Sequence, residues 1–143
     1  MRKLMVAVAV FLALAGCMTV PTVYPKDWSR VYAVEKNSGT IFDLSMRWLA
    51  LTFKSSKAVI EYANEERGII IGNGIIAGTD LTIMLEVRNG GARLTFSNFI
   101  GANTVSTKYG NFTYKTPWEN LQEELEGFAA DYGEYVSSTV TGW

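Results

Sequence analysis

The feature that most constrains this chain is an alternation: Leu81, Ile83, Leu85 and Val87 interleave with Thr82, Met84, Glu86 and Arg88, and an apolar face resumes at Leu94 and Phe96 after Asn89-Gly90-Gly91. A period of two sends successive side chains to opposite faces, so the segment reads as a strand pair with one apolar and one polar face around a tight turn. Two registers compete at that turn. With Asn89-Gly90 as a two-residue loop, Arg88 faces Gly91 and Glu86 faces Arg93; with Gly90-Gly91 as the loop, Arg88 faces Arg93. Opposite charges across the strands favour the first register by a few tenths of a kcal/mol up to about 1 kcal/mol. A sheet that is apolar on one face needs a cover, and helices elsewhere in the chain must supply it.

Two segments have helical spacing. Phe42, Met46, Leu49 and Phe53 recur at intervals of four, three and four, flanked by Ile41, Ser45, Trp48 and Thr52, and Thr40-x-x-Asp43 offers a capping-box-like start. Near the other end, Thr116-Pro117-Trp118-Glu119 combines an N-cap threonine, a proline at the first helical position and a glutamate at the third. Trp118, Leu121, Leu125, Phe128 and Tyr132 then form one stripe, which predicts a helix over about 117–137. Gly127 and Gly133 each cost such a helix up to about 1 kcal/mol, so it depends on packing. Further strands are expected at Arg30–Glu35, before the Asn37-Ser38-Gly39-Thr40 break, and at Ala58–Tyr62 and Ile69–Ile71, which form a hairpin across the polar turn Asn64–Gly68. The order β-α-β-β-β-β-α predicts an α+β fold, a single antiparallel sheet of about five strands with both helices on one face.

The segment FDLSMRWLALTFKSSKAVIEYANEERGIIIGNGII, followed by a strand pair, resembles a family of bacterial secreted proteins and lipoproteins built on a domain of unknown function with a fold like one repeat of the TATA-binding protein. The likeness is carried by the helix with Trp48, Leu49 and Phe53, the Lys54-Ser55-Ser56-Lys57 turn, Ile60 with Tyr62, and Gly68-x-Ile70-Ile71-Gly72-x-Gly74, and it extends over roughly Trp28 to Asn103. It implies the TBP-like fold and no particular activity. DNA binding by the namesake is a fold-level analogy, and the charge of this chain opposes it.

The N-terminus gives an address. Met1-Arg2-Lys3 precedes the uncharged apolar run Leu4–Ala15 and the small pair Ala15-Gly16, which is the anatomy of a secretory signal. That run is about twelve residues, well short of the roughly 18 to 20 that span a bilayer. Leu14, Ala15, Gly16 and Cys17 resemble a bacterial lipobox, in which the cysteine thiol takes diacylglycerol, the peptide is cut before it, and the new amino group is acylated. The expected organisation is a lipoprotein signal peptide at 1–16, a lipidated cysteine and Pro-containing tether at 17–27, and one domain at 28–143. An ordinary cleaved signal with an incidental cysteine is the alternative, and it leaves a free thiol outside the cytoplasm. Met18 stands where an aspartate favours inner-membrane retention, so the expected location is the outer membrane, facing the periplasm.

Composition then removes function classes. Without residues 1–16 the chain has 11 basic against 14 acidic residues, which argues against nucleic acid as a partner. It has no histidine and a single cysteine, so Ser-His-Asp and Cys-His catalysis, the usual zinc sites and an internal disulfide are excluded. No catalytic residue, cofactor site or metal site is expected. Gly72-Asn73-Gly74-Ile75-Ile76-Ala77 matches a dinucleotide-binding pattern literally, but a strand follows where a helix should open, so the glycines read as a hairpin bend or bulge. Ser55-Ser56-Lys57 reads as a turn. Glu65, Glu66, Asp80 and Glu86 read as solvated surface.

Two surfaces remain as contacts for a partner. Tyr109, Phe112 and Tyr114, interleaved with Lys108 and Lys115, either stack on a sugar or peptide or pack on the core. Thr82, Met84, Thr95 and Ser97 should lie on the open face of the sheet. Three functions follow: a lipid-anchored, non-enzymatic binding or assembly module for an envelope protein or glycan; a phage- or plasmid-borne exclusion lipoprotein that blocks a surface receptor, marked by its gene neighbourhood; and a cell-wall hydrolase using two carboxylates in one cleft.

Overall fold

In the computed structural model, which describes residues 26–53, 59–101 and 117–138, the strands form one antiparallel sheet. In chain order the elements are β1 (Asp27–Ala33), α1 (Ser38–Thr52), β2 (Val59–Asn64), β3 (Ile69–Ile76), β4 (Thr79–Arg88), β5 (Gly91–Gly101) and α2 (Pro117–Ser137). The spatial order is β1-β5-β4-β3-β2, so β2 to β5 run as a meander and β1 closes beside β5. The fold is α+β, with both helices packed into one core against the same face of the sheet. The Asn89-Gly90 register holds: Glu86 pairs with Arg93 and Arg88 with Gly91, and Arg93 Nη1 lies 3.5 Å from Glu86 Oε2.

The core takes alternate residues from β3, β4 and β5. Ile70, Leu81, Ile83, Leu85, Leu94 and Phe96 are buried with Ile41, Trp48, Leu121, Leu125, Tyr132 and Val136. In α2 Leu121, Leu125 and Tyr132 are buried as the spacing predicts, Trp118 and Phe128 are half-buried at the margin, and Ala129 and Val136 extend the buried stripe. The α1 stripe is turned by one residue, about 100°: Ile41, Ser45, Trp48 and Leu49 are its buried residues, while Phe42 and Met46 are half-buried at the margin. The turn follows from how α1 meets α2. Ser45 Oγ donates to Ile41 O at 2.7 Å and shares a 2.8 Å hydrogen bond with the Tyr132 hydroxyl, and Trp48 Nε1 donates to Asp131 Oδ2 at 2.7 Å. A small hydroxyl residue at the centre of the seam lets the Tyr132 ring approach.

The start of α1 also differs from expectation. Asn37, not Thr40, is the N-cap; its Oδ1 accepts from Thr40 N at 2.8 Å, which makes Thr40 the third helical residue. Asn89 Oδ1 accepts from Ser38 N at 2.8 Å, and Gly90 exchanges backbone hydrogen bonds with Val34 and Lys36. The β4–β5 turn is thereby tied to the β1–α1 connection. The glycines of Gly72-Asn73-Gly74 do not form a bend: β3 runs through them to Ile76, and the chain returns at Ala77 and Gly78, which have φ of 49° and 75°. The alternative of a bulge is met on the neighbouring strand, where β2 shifts register between Ile60 and Tyr62, opposite Gly72 and Ile71.

Three aromatic rings knit the seam between the helices and β1. Tyr132 stands edge-on to Tyr32 at 5.1 Å and to Trp48 at 5.0 Å between centroids, and the Tyr32 hydroxyl donates to Ala129 O at 2.7 Å. Burial pushes the hydroxyls of Tyr132 and Tyr32 up to about 12; the Ser45 hydrogen bond opposes this at Tyr132 and the charge of Arg30 opposes it at Tyr32. The unfolded chain releases these protons near pH 10, whereas the folded chain holds them to about pH 12. Stability is therefore intact below pH 10 and falls as pH rises from about 10 to 12, by about 2–3 kcal/mol for the fully buried Tyr132. Urea midpoints across that range check this, and a Tyr132→Phe variant should show a shallower decline; an identical slope in both proteins would contradict it.

The two glycines of α2 are not equivalent. A Cβ on Gly127 meets nothing within 4 Å, but one on Gly133 lies 2.8 Å from Tyr32 Cε1 and 3.0 Å from Cδ1. Tyr32 is fixed by its hydroxyl and by Tyr132, so it cannot yield cheaply. Gly127→Ala should stabilise the protein by up to about 1 kcal/mol, and Gly133→Ala should destabilise it by about 1 kcal/mol or more. Thermal melting of the two variants, shifting in opposite directions, is the check.

Candidate functional site

Alternation leaves the second face of the sheet to the residues between the core positions. None of the described elements covers it. Val31, Tyr62 and Ile75 lie there with 65%, 41% and 44% of their surface exposed, together with Thr82, Met84, Glu86 and Arg88 from β4 and Arg93, Thr95 and Ser97 from β5. Thr82 and Met84 are half-exposed on this face, as expected. Thr95 is on it too, but with Ser29 and Met84 as cross-strand neighbours it is only 8% exposed and offers little contact area.

A polar chain crosses this face. Asn73 Nδ2 donates to Glu61 Oε1 at 2.6 Å, Thr82 Oγ1 donates to Asn73 Oδ1 at 3.1 Å, and Asn98 Nδ2 donates to Thr82 Oγ1 at 3.2 Å. Four strands contribute one residue each. The two outer residues sit at irregularities: Glu61 is the unpaired residue in the β2 bulge, and Asn98, with a φ of 53°, lies where β5 shifts against Asp80 and Thr82. Bulges of this kind re-aim a side chain, and asparagine tolerates the left-handed conformation better than most residues.

Nearer the turns of this face lies a depression of about 230 Å³, with Val31 and Ile69 as apolar lining and Arg67, Arg88, Arg93 and Glu86 as charged lining, while Gly68, Val87 and Ala92, the last two with buried side chains, complete it. Register brings these together. Arg93 is opposite Glu86 and Val31, Ile69 is opposite Glu86, and Arg88 is diagonal to Arg93, a separation of about 7–8 Å that long side chains bridge. Arg67 arrives from the β2–β3 turn, which Gly68 pins by accepting Val87 N–H at 2.7 Å. Arg93 has Glu86 at 3.5 Å; Arg67 and Arg88 have no acidic partner among the described residues.

The carboxylates considered from the sequence are spread out. Asp80 and Glu86 are six residues apart on β4, about 20 Å, beyond the separation at which two carboxyls act on one glycosidic bond. Glu65 is at the other side of the fold, its Oε1 3.3 Å from a Cβ position on Gly39 in the first turn of α1. Among the described residues no group of three or more His, Cys, Asp and Glu side chains is placed to hold a metal, and no helix is long and apolar enough to cross a membrane. Cys17 with Leu14, Ala15 and Gly16, the aromatic residues Tyr109, Phe112 and Tyr114, and Ser55-Ser56-Lys57 lie outside the described residues. Glu61, Arg67, Asn73 and Asn98 carry no functional signal in the sequence, whereas the β4–β5 register already places Arg88 and Arg93 on the face of Thr82.

With this geometry in view, the chain can be set beside known proteins. Residues 28–79 match the model of a family described as a domain of unknown function (DUF4468) with TBP-like fold. The one-sheet, two-helix architecture is consistent with that fold. The match begins at Trp28, as the sequence resemblance does, and ends at Thr79, short of Asn103. Among solved structures, the crystal structure of a DUF4468 family protein from Bacteroides ovatus ATCC 8483 is similar at 19% identity and a TM-score of 0.48, over 56% of this chain and 57% of that one. The crystal structure of Ara h 8.0201 is similar at 10% identity and a TM-score of 0.41, over 78% of this chain and 94% of that one. No curated protein sequence matches the chain.

Proposed function

We propose that this chain is a lipid-anchored protein of the bacterial envelope, a non-enzymatic binding or assembly module that presents the open face of its sheet to another envelope protein or a glycan. The observation that carries the reading is the asymmetry of the sheet. One face is closed by both helices, while the other leaves Val31, Tyr62 and Ile75 exposed beside a polar chain and an arginine-lined depression. Exposed apolar residues interspersed with oriented polar ones across one uncovered face are the composition of a contact surface.

The anchor rests on Leu14-Ala15-Gly16-Cys17 behind an apolar run. Acyl chains on one cysteine, at about 0.8 kcal/mol per buried methylene, hold a protein at a bilayer without a spanning helix. Nine residues lie between Cys17 and Asp27, where β1 begins. That tether reaches at most about 35 Å, which keeps the edge strand β1 close to the membrane and leaves the sheet free to meet a neighbour.

The test is the intact mass of the native chain, with a pull-down from solubilised envelope beside a Cys17→Ala form and a Val31→Lys/Ile75→Lys form. A mass lacking the signal and carrying acyl chains supports the anchor, and an unlipidated mass sinks it. A stoichiometric partner kept by native protein and lost from the lysine variant supports the open face. A partner retained by that variant removes this face from the account.

A further inference from the structure

We propose that the depression at the turn end of the open face is a binding site for a phosphate monoester, held by Arg67, Arg88 and Arg93. The inference rests on the reading of the open face as the binding surface and gives that face a ligand chemistry.

Three guanidiniums line one concavity with a single carboxylate among them, in a chain whose overall charge is −1. Beyond the Glu86–Arg93 pair the sheet gains nothing from this arrangement: Arg88 and Arg93 are diagonal neighbours of like charge, and Arg67 is brought to them by the turn that Gly68 closes. Such repulsion is relieved by an anion between the groups. The arginine set suits phosphate better than carboxylate. Each guanidinium carries five N–H donors in a fork that fits two oxygens at once. A carboxylate has two oxygens to offer, whereas a phosphate monoester offers three terminal oxygens and up to two charges.

Glu86 lies 3.5 Å from Arg93, longer than a close charge-assisted hydrogen bond. It orients that guanidinium from one side and leaves donors on the other for the ligand. Val31 and Ile69 supply an apolar patch beside the charges, where the first carbons of the ester can rest and where water competes less with the arginine forks. The depression is open to solvent, so the phosphate can be that of a soluble ester or the headgroup of a lipid in the neighbouring bilayer.

The experiment is calorimetric titration of the full chain with glycerol 3-phosphate and with inorganic phosphate, paired with flotation on phosphatidylcholine vesicles with and without phosphatidic acid. The expected result is saturable binding of glycerol 3-phosphate that weakens about tenfold or more in Arg88→Ala and in Arg67→Ala. Arg47→Ala removes the same charge from the exposed surface of α1 and should stay within about twofold of native protein. Binding to phosphatidic acid vesicles that Arg88→Ala abolishes and glycerol 3-phosphate displaces supports the site with a headgroup as its source. Binding of the soluble ester alone supports the site with a free ligand. No saturable binding, or an equal loss in Arg47→Ala, overturns the proposal. If binding is absent while the partner capture described above still depends on Val31 and Ile75, the phosphate site falls and the binding module stands.

Discussion

Trp48→Ala should lose about 3–5 kcal/mol of unfolding free energy. The indole is 1% exposed and sits where the two helices and the sheet meet, edge-on to Phe53 at 6.0 Å and to Tyr132 at 5.0 Å. Its removal leaves a void that the Tyr132 ring, held by Ser45, cannot collapse to fill, and it strips Asp131 of its donor. Trp48→Phe keeps most of the apolar area and loses the N–H, so it should cost about 1–2 kcal/mol. Urea unfolding of both variants separates the packing contribution from the hydrogen bond. Equal losses would mean that the Asp131 contact, not the ring, dominates the seam.

Gly68→Ala should be nearly as damaging, on the order of 3 kcal/mol, although only one methyl group is added. Gly68 has a φ of 64°, and a Cβ there would lie 2.1 Å from Val87 O, a backbone atom that no rotamer change can move. The β2–β3 turn must then lift from β4, breaking the bond from Val87 N to Gly68 O and withdrawing Arg67 from the depression. Gly90→Ala is the control. Gly90 also has a positive φ, 80°, but a Cβ there meets nothing within 4 Å, so that variant carries only the left-handed penalty of about 1–2 kcal/mol. Comparable losses in the two variants would show that the close approach to Val87 contributes nothing.

Local chemistry with one strong signal was legible in the sequence. The period of two at Leu81–Val87, together with the charges of Glu86 and Arg93, was enough to choose the register, because moving the two-residue loop on by one residue places Arg88 and Arg93 face to face. Pro117 at a helix start and the three-four spacing after it gave α2 and its buried stripe.

Where the expectation differed, the missing information was tertiary. Ser45 is polar, so an apolar-spacing rule places the α1 stripe one residue away; only Tyr132, 87 residues further on, makes Ser45 the centre of the seam. Thr40 has the side chain of a cap, yet Asn37 takes the role because the β4–β5 turn binds Ser38 and fixes the helix start there. Gly72-Asn73-Gly74 looks like punctuation, and the neighbouring strand carries the irregularity instead. The candidate site was less legible than the fold. Thr82 was placed on the open face, but Glu61 and Asn98 reach it only through bulges, and Arg67 joins Arg88 and Arg93 only because β3 lies beside β4.

The central claim is that the open face of the sheet is the surface this protein uses, and site-specific photocrosslinking in intact envelopes tests it most directly. A photoreactive side chain replaces Ile75 on the open face in one form and Arg47 on the outer surface of α1 in another. The account predicts an adduct of a single defined mass from position 75, absent from position 47 and lost in a Val31→Lys background. Adducts from position 47 alone, or equal adducts from both, would contradict it.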